Sequence, residues 1–435
     1  MIKSYLLLLL TLTRALFFLL LEYYYIPFII VLGSTYLVFT YLLFKEPHVL
    51  LLPNDIIVIT ALVIIFLLWP VTIIYTKRYD DDASIYFMTC SIIFAILLAL
   101  STNLMTLFIF YELITIFTAP LIARKENALK EYLQGLIVPA VCLLLPAILI
   151  TQEIALHTDF SFDGSLNHMT NKTYIIALFL MFVFGIAKTA IMPMHKWILS
   201  AMSAPYPVSA LLHSVVVVNS GVLFLLKVIL FFGIDILAFA KNYLFLLPAI
   251  TVIYASIKAF FQTNIKMLLV YSTISQISLS ILYAFLLNKS CFDAALLHII
   301  NHSISKIILF FIAGYFAKLV DSNQLNHMQG IFRYVPKIIS CSFIFASLAL
   351  AGAPPFIGFF AKEKILHITF IENKPAFIII ALSSFLTFTY LIKMIIIFSR
   401  NRIVDIKNIN AAALEKPILI CFVIIFISGI YGFIY

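Results

Sequence analysis

The sequence predicts an all-α polytopic membrane protein, and three observations carry that prediction. Of 435 residues, 64% are hydrophobic and only 11% charged, with a mean hydropathy of +1.14; a soluble domain carries about 25% charged residues. Apolar stretches of roughly 20 residues recur along the whole chain, each long enough to cross a hydrocarbon core about 30 Å thick. The polar segments between them are too short to form a soluble domain of useful size. The net charge of +9 lies in short loops, which points to membrane topology and away from nucleic acid.

About fourteen transmembrane helices are expected, near residues 4–23, 27–44, 55–76, 84–101, 103–123, 130–151, 173–192, 205–231, 244–261, 265–288, 292–318, 336–360, 376–399 and 415–435. The first apolar run lacks a small-residue cleavage site before Tyr23, Tyr24 and Tyr25, so it is expected to be a span and not a signal peptide. The fourth and fifth spans abut at Ser101–Asn103. The seventh reaches Pro193 just after Lys188, and the twelfth is interrupted by Pro354 and Pro355, so both are expected to be broken. Broken helices at matching positions of two halves point to inverted repeats. The expected organisation is helices 1–3 in residues 1–83, a first five-helix repeat in 84–231, a second in 244–399, and a last helix in 415–435.

Loops on one side hold about fourteen Lys and Arg, Lys77, Arg124 and Lys266 among them, against five on the other. The positive-inside rule then places both termini outside. The loop from Gln152 to Asn171 is acidic and holds no Lys or Arg, which fits the outer face. Cys90, Cys142, Cys291, Cys341 and Cys421 are scattered without metal-ligand spacing and are expected to be free thiols.

Function is concentrated in a few ionisable residues inside apolar runs. Lys188 lies in ALFLMFVFGIAKTAIMP, where a cation at membrane depth costs about 2.5 to 3.5 kcal/mol. Glu112 stands in STNLMTLFIFYELITIFTAPLI and is the natural partner for Lys188. The bland alternatives are a helix-packing ion pair for Glu112 and snorkelling for Lys188. His298, His302 and Lys306 stand at i, i+4 and i+8, which puts them on one helix face. Histidine both donates and accepts near neutrality and suits a proton relay; a metal or haem site is the alternative for the pair. His213, in SALLHS, is a third intramembrane histidine, or a ring merely hydrogen-bonded in the bundle. Lys362 follows the Pro-Pro break, with Glu363 and Lys364 beside it, so a helix-end charge cluster is its alternative. Tyr271, Ser272, Thr273, Ser275 and Gln276 form a polar stripe that either lines a hydrated path or joins helices.

Four motifs in order resemble one family. They are GIAKTAIMPMHKWILSAMSAPYPVSALLHS, QTNIKMLLVYSTISQIS, ALLHIINHSISKIILFFIAG and ALAGAPPFIGFFAKE. They are similar to the antiporter-like membrane subunits of NADH:quinone oxidoreductase (complex I), shared with Mrp-type cation/proton antiporters and membrane-bound hydrogenases. The wording PVSALLHSVVVVNSGV leans toward the D-subunit branch of the Mrp type. The resemblance implies fourteen helices, two inverted repeats and a hydrophilic axis at mid-membrane. By position it implies that Glu112, Lys188, Lys306 and Lys362 are the charged residues of helices 5, 7, 11 and 12, with His213, His298 and His302 between them.

Two departures stand out. Asn219 occupies a position where many family members have lysine, and the family's WLP is here Trp197, Ile198 and Leu199. The expected function is a proton-translocating subunit of a multisubunit cation/proton antiporter or complex I-like assembly in an energy-coupling membrane, either bacterial or mitochondrial inner. The alternative is a transport-inactive structural subunit. Expected partners are other hydrophobic subunits, lipid, and protons with Na⁺ or K⁺. With no flavin, quinone, haem or iron–sulfur signature, no cofactor is expected in this chain and redox chemistry would fall to its partners.

Overall fold

The structure is a computed structural model and describes residues 56–79, 82–123, 126–155, 166, 171–402 and 411–434. The two helices expected before residue 55, and most of the loop from Gln152 to Asn171, lie outside the described residues. Among those residues the chain is almost wholly helical. In order the main helices are α1 (Ile56–Arg78), α2 (Asp82–Leu100), α3 (Leu104–Ile122), α4 (Glu126–Ala155), α5 (Lys172–Gly185), α6 (Lys196–Ser200), α7 (Tyr206–Ser214) and α8 (Val217–Phe232). They continue with α9 (Ile234–Leu244), α10 (Leu246–Phe261), α11 (Ile265–Ala284), α12 (Lys289–Val320), α13 (Lys337–Ala351), α14 (Ile357–Glu372), α15 (Lys374–Ser399) and α16 (Glu415–Ile434). Seven of the described helical runs are long and apolar enough to cross a membrane, or eight counting the bent pair α9–α10, so the protein is an integral multi-pass membrane protein.

Asparagine starts several of these helices. The side chains of Asn103, Asn264, Asn288 and Asn373 each accept a hydrogen bond from a main-chain N–H in the first turn of α3, α11, α12 and α15. That satisfies donors which a helix start otherwise leaves bare. The centre of the bundle is α7–α8, α11 and α12, whose apolar windows are 94%, 94% and 89% buried. By contrast α4 and α15, at 33% each, lie at the periphery and turn Ile378, Leu382 and Phe385 outward. The helix that carries His298, His302 and Lys306, α12, is thus held largely inside the bundle.

Among the described residues a further interruption joins the two expected breaks, besides the bend between α9 and α10. α5 stops at Gly185, a single 3-10 turn spans Ala187–Thr189, and Ala190 takes a left-handed conformation (φ 54°). Lys188 therefore sits in an irregular turn beyond the helix end, and not mid-helix as the apolar run implied. The twelfth span breaks as expected: α13 ends at Gly352 (φ 81°) and α14 starts at Ile357. The third break was not expected, because residues 205–231 read as one helix. The structure interrupts them at Val215–Val216, and both N–H groups converge on the Leu211 carbonyl.

Candidate functional site

Freed main-chain groups inside a bilayer must find partners within the protein, and at each break a side-chain N–H supplies one. The Trp197 indole donates to the Ala187 carbonyl (2.8 Å). The Asn219 amide donates to the Ser214 carbonyl (2.8 Å) and to the Ser303 hydroxyl (2.9 Å). The Asn301 amide donates to the Ala349 carbonyl (2.9 Å). Thr251 adds a fourth tie, its hydroxyl accepting from the Met192 N–H (3.1 Å).

Trp197 is fully enclosed, edge-on to Tyr132 (5.8 Å between centroids) and against Gly135, where a Cβ would lie 2.8 Å from its own Cβ. Replacing Trp197 with Phe removes one of the two donors to the Ala187 carbonyl, which keeps the Ala190 N–H (2.9 Å), a loss of about 1 kcal/mol. The purified protein is expected to melt at a lower temperature, and a differential scanning trace overlaying that of wild type would count against the cap.

The three amines singled out in the sequence are enclosed: Lys188 and Lys306 have 0% exposure and Lys362 has 4%. Snorkelling is thereby removed for Lys188, while Lys196 faces out. None of the three forms an ion pair among the described residues; each ammonium rests on main-chain oxygen. Lys188 Nζ donates to the Tyr111 carbonyl and lies 3.5 Å from the Tyr111 ring centroid, while its N–H donates to the Tyr111 hydroxyl (3.2 Å). Lys306 Nζ donates to the Leu269 carbonyl (2.7 Å) and the Ser272 hydroxyl. Lys362 Nζ donates to the carbonyls of Ala351 (2.7 Å) and Leu350 (3.4 Å) at the C-terminus of α13, the end of a helix that attracts cations.

Glu112 is the natural partner for Lys188 by sequence, but its neighbour Tyr111 holds the amine. Glu112 stays within electrostatic reach of Lys188, with Oε1 buried and without a hydrogen-bond partner. On the other side His213 lies within electrostatic reach of Lys306 and Lys266, His302 of His213, Lys306 and His298, and His298 of Lys362. His213 stacks on Phe310 (5.2 Å), His298 stands edge-on to Tyr283 (5.5 Å), and the ring nitrogens of His213 and His302 have no hydrogen-bond partner among the described residues. The site residues thus fall into two groups, Glu112 with Lys188, and His213, Lys306, His302, His298 with Lys362.

The junction between the groups is made by α8. Gly221 packs on the main chain of Lys188, and Asn219 bonds to Ser303, next to His302. Asn219 Oδ1 is buried without a partner among the described residues, and the residue borders a pocket of about 10 Å³ between α1, α2 and α8. That volume is the size of one water molecule.

The sequence passed over several residues. Lys227, 4% exposed, donates to the carbonyls of Ala99 (2.8 Å) and Ser101 (3.0 Å) at the end of α2. Lys266 was expected as a loop cation, yet it is 7% exposed and donates to the carbonyls of Met202 (2.9 Å) and Ala204, 4.9 Å from the Tyr206 ring. Gln276, from the polar stripe, donates to Thr387 (2.9 Å) and so joins α11 to α15. Beside Lys362, Glu363 is exposed and Lys364 lies 3.9 Å from Asp293, so the three do not act as one surface cluster.

Residues 101–388 match the transmembrane family of the NADH:quinone oxidoreductase/Mrp antiporter. The chain belongs to this family. Curated relatives include a chloroplastic NAD(P)H-quinone oxidoreductase subunit 5 from Liriodendron tulipifera, 30% identical over 68% of this chain and 42% of the relative. Another is NADH-ubiquinone oxidoreductase chain 5 from Chondrus crispus, 29% identical over 73% of this chain and 50% of the relative. The chain therefore spans half or less of the length of these relatives. Among solved structures, the Mrp complex of a Dietzia species matches with a TM-score of 0.75 at 20% identity, covering 91% of this chain and 46% of that one. An archaeal membrane-bound sulfane sulfur reductase matches with a TM-score of 0.79 at 19% identity, covering 98% and 94%. At that identity the two structures speak for the family fold.

Proposed function

We propose that this chain is a proton-translocating subunit of a multisubunit Mrp-type antiporter or complex I-like assembly in an energy-coupling membrane. Its partners are other hydrophobic subunits, and Na⁺ or K⁺ is the coupled cation where the assembly is an antiporter. The observation that carries this reading is the placement of three enclosed amines, Lys188, Lys306 and Lys362, beside Glu112 or the histidines, each resting on helix carbonyls with no carboxylate within ion-pair distance among the described residues. An enclosed charge is costly, and since Lys227 and Lys266 rest on carbonyls in the same way, it is the neighbouring Glu112 and histidines that mark these three as carriers. A proton carrier has to release its proton, and carbonyl ligands hold it less firmly than a salt bridge.

In this reading Glu112 and Lys188 exchange a proton in the first half. His213, His302 and His298 relay between Lys306 and Lys362 in the second. A water at Asn219 Oδ1 joins the halves. The rival reading, a subunit that keeps the fold and has lost transport, is favoured by one feature: Asn219 stands at the junction and cannot carry a proton as a cation.

The test is proton flux in liposomes holding the whole purified complex. Lys188→Ala and Glu112→Ala are each expected to lower flux by roughly a hundred-fold, the lower range for a single proton-transfer group. Wild-type flux in both variants would establish the structural reading instead.

A further inference from the structure

The last turn of α13 presents three consecutive carbonyls, and the structure divides them between two side chains. Ala349 O takes the Asn301 amide at 2.9 Å beside the Gly352 N–H at 3.1 Å; Leu350 O and Ala351 O take the Lys362 ammonium at 3.4 and 2.7 Å. Two glycines make room for this. A Cβ on Gly358 would lie 2.5 Å from both Ala349 O and the Asn301 amide nitrogen, and a Cβ on Gly352 would lie 2.5 Å from Lys362 Cδ. Gly352 also has φ 81°, which a residue with a Cβ adopts at a cost. Asn301 is 3% exposed and stands on α12 between His298 and His302. A cavity of about 450 Å³, lined by Lys362, Glu363, His367 and Phe370, opens beside the turn.

We propose that Asn301 is the positioning residue of the Lys362 turn. Its amide pins the end of α13 through Ala349, so that the two remaining carbonyls form a fixed seat for the ammonium. Because the same residue belongs to the histidine-bearing helix, it keeps that seat in register with His298 and His302. Asn301 itself transfers no proton. The inference deepens the transport reading, and its main measurement does not depend on transport.

The measurement is the rate at which a small membrane-permeant amine reagent labels each lysine in the assembled complex, read by mass spectrometry. With Asn301→Leu, labelling of Lys362 is expected to rise roughly five-fold, the factor one ordinary hydrogen bond is worth. Lys188 and Lys306 should keep their wild-type rates. Gly358→Ala, whose methyl displaces the Asn301 amide, should reproduce the pattern, and Asn301→Ser, which keeps a hydroxyl donor, should restore part of the protection. An unchanged Lys362 rate in Asn301→Leu overturns the proposal. So does an equal rise at all three lysines, or loss of assembly in both Asn301→Leu and Gly358→Ala, since either marks a general structural part. Flux is measured on the same samples; faster labelling with unaltered flux would keep the seat and remove Lys362 from transport.

Discussion

Lys306→Met is expected to give a complex that assembles at least as well as wild type and moves almost no protons. The two halves of that expectation come from one geometry. Lys306 has 0% exposure, and among the described residues its ammonium has the Leu269 carbonyl and the Ser272 hydroxyl as ligands. Taking an ammonium out of water costs several kcal/mol, of which two neutral oxygens return part. Methionine fills nearly the same volume with an unbranched, adaptable chain and leaves no charge to solvate. Exchanging a buried ion for a well-fitting apolar group is often neutral or stabilising by about 1 to 4 kcal/mol. The Ser272 hydroxyl keeps its own bond to Leu269 O (2.8 Å), so the substitution strands no donor there.

Flux should nevertheless fall at least about a hundred-fold, because Lys306 is the electrostatic neighbour of both His213 and His302 and no other amine stands on that face of α12. Complex yield, thermal unfolding and flux from one preparation separate the outcomes. A destabilised complex with normal flux per assembled particle would make Lys306 a packing residue and sink the relay through α12.

Much of this was legible in the sequence because lipid makes polar residues conspicuous. Lys188, Lys306, His298 and His302 stand out of apolar runs, and Pro193, Pro354 and Pro355 mark two of the breaks. The third break was hidden in VVVV, a β-branched run with no proline or glycine. What opens it is Asn219, whose amide reaches back to the Ser214 carbonyl five residues earlier, and a local pattern gives no sign of that reach. The same fact recasts the departure from the family lysine, since Asn219 has a structural task at the break as well as a place at the junction. Neither Tyr111 as the seat of Lys188 nor the inward turn of Lys266 was readable. Both depend on main-chain carbonyls, which every residue owns and no side-chain pattern advertises. Trp197 and Asn301 escaped for the same reason.

Gly221→Ala is expected to have the second-largest effect, and it adds only one methyl group. A Cβ at this position would lie 2.6 Å from the carbonyl carbon of Lys188, 2.7 Å from the Thr189 nitrogen and 2.8 Å from Lys188 Cβ. These are mostly backbone atoms of a turn already tied by Trp197 and Thr251, so they cannot rotate aside as a side-chain tip would. The turn and α8 must separate, at about 1 to 3 kcal/mol for overpacking. Moving the Lys188 amine by roughly 1 Å relative to Glu112 can cost about a hundred-fold in a transfer step. Gly314→Ala is the control: its methyl meets the Tyr75 hydroxyl at 2.7 Å and Tyr206 Cβ at 2.8 Å, side-chain atoms away from Lys188. Both variants should lower the melting temperature, whereas only Gly221→Ala should lose flux per assembled complex. Equal losses in the two would reduce the Gly221 contact to ordinary packing. Full flux in Gly221→Ala would mean that the Lys188 turn tolerates displacement, which a proton carrier facing Glu112 should not.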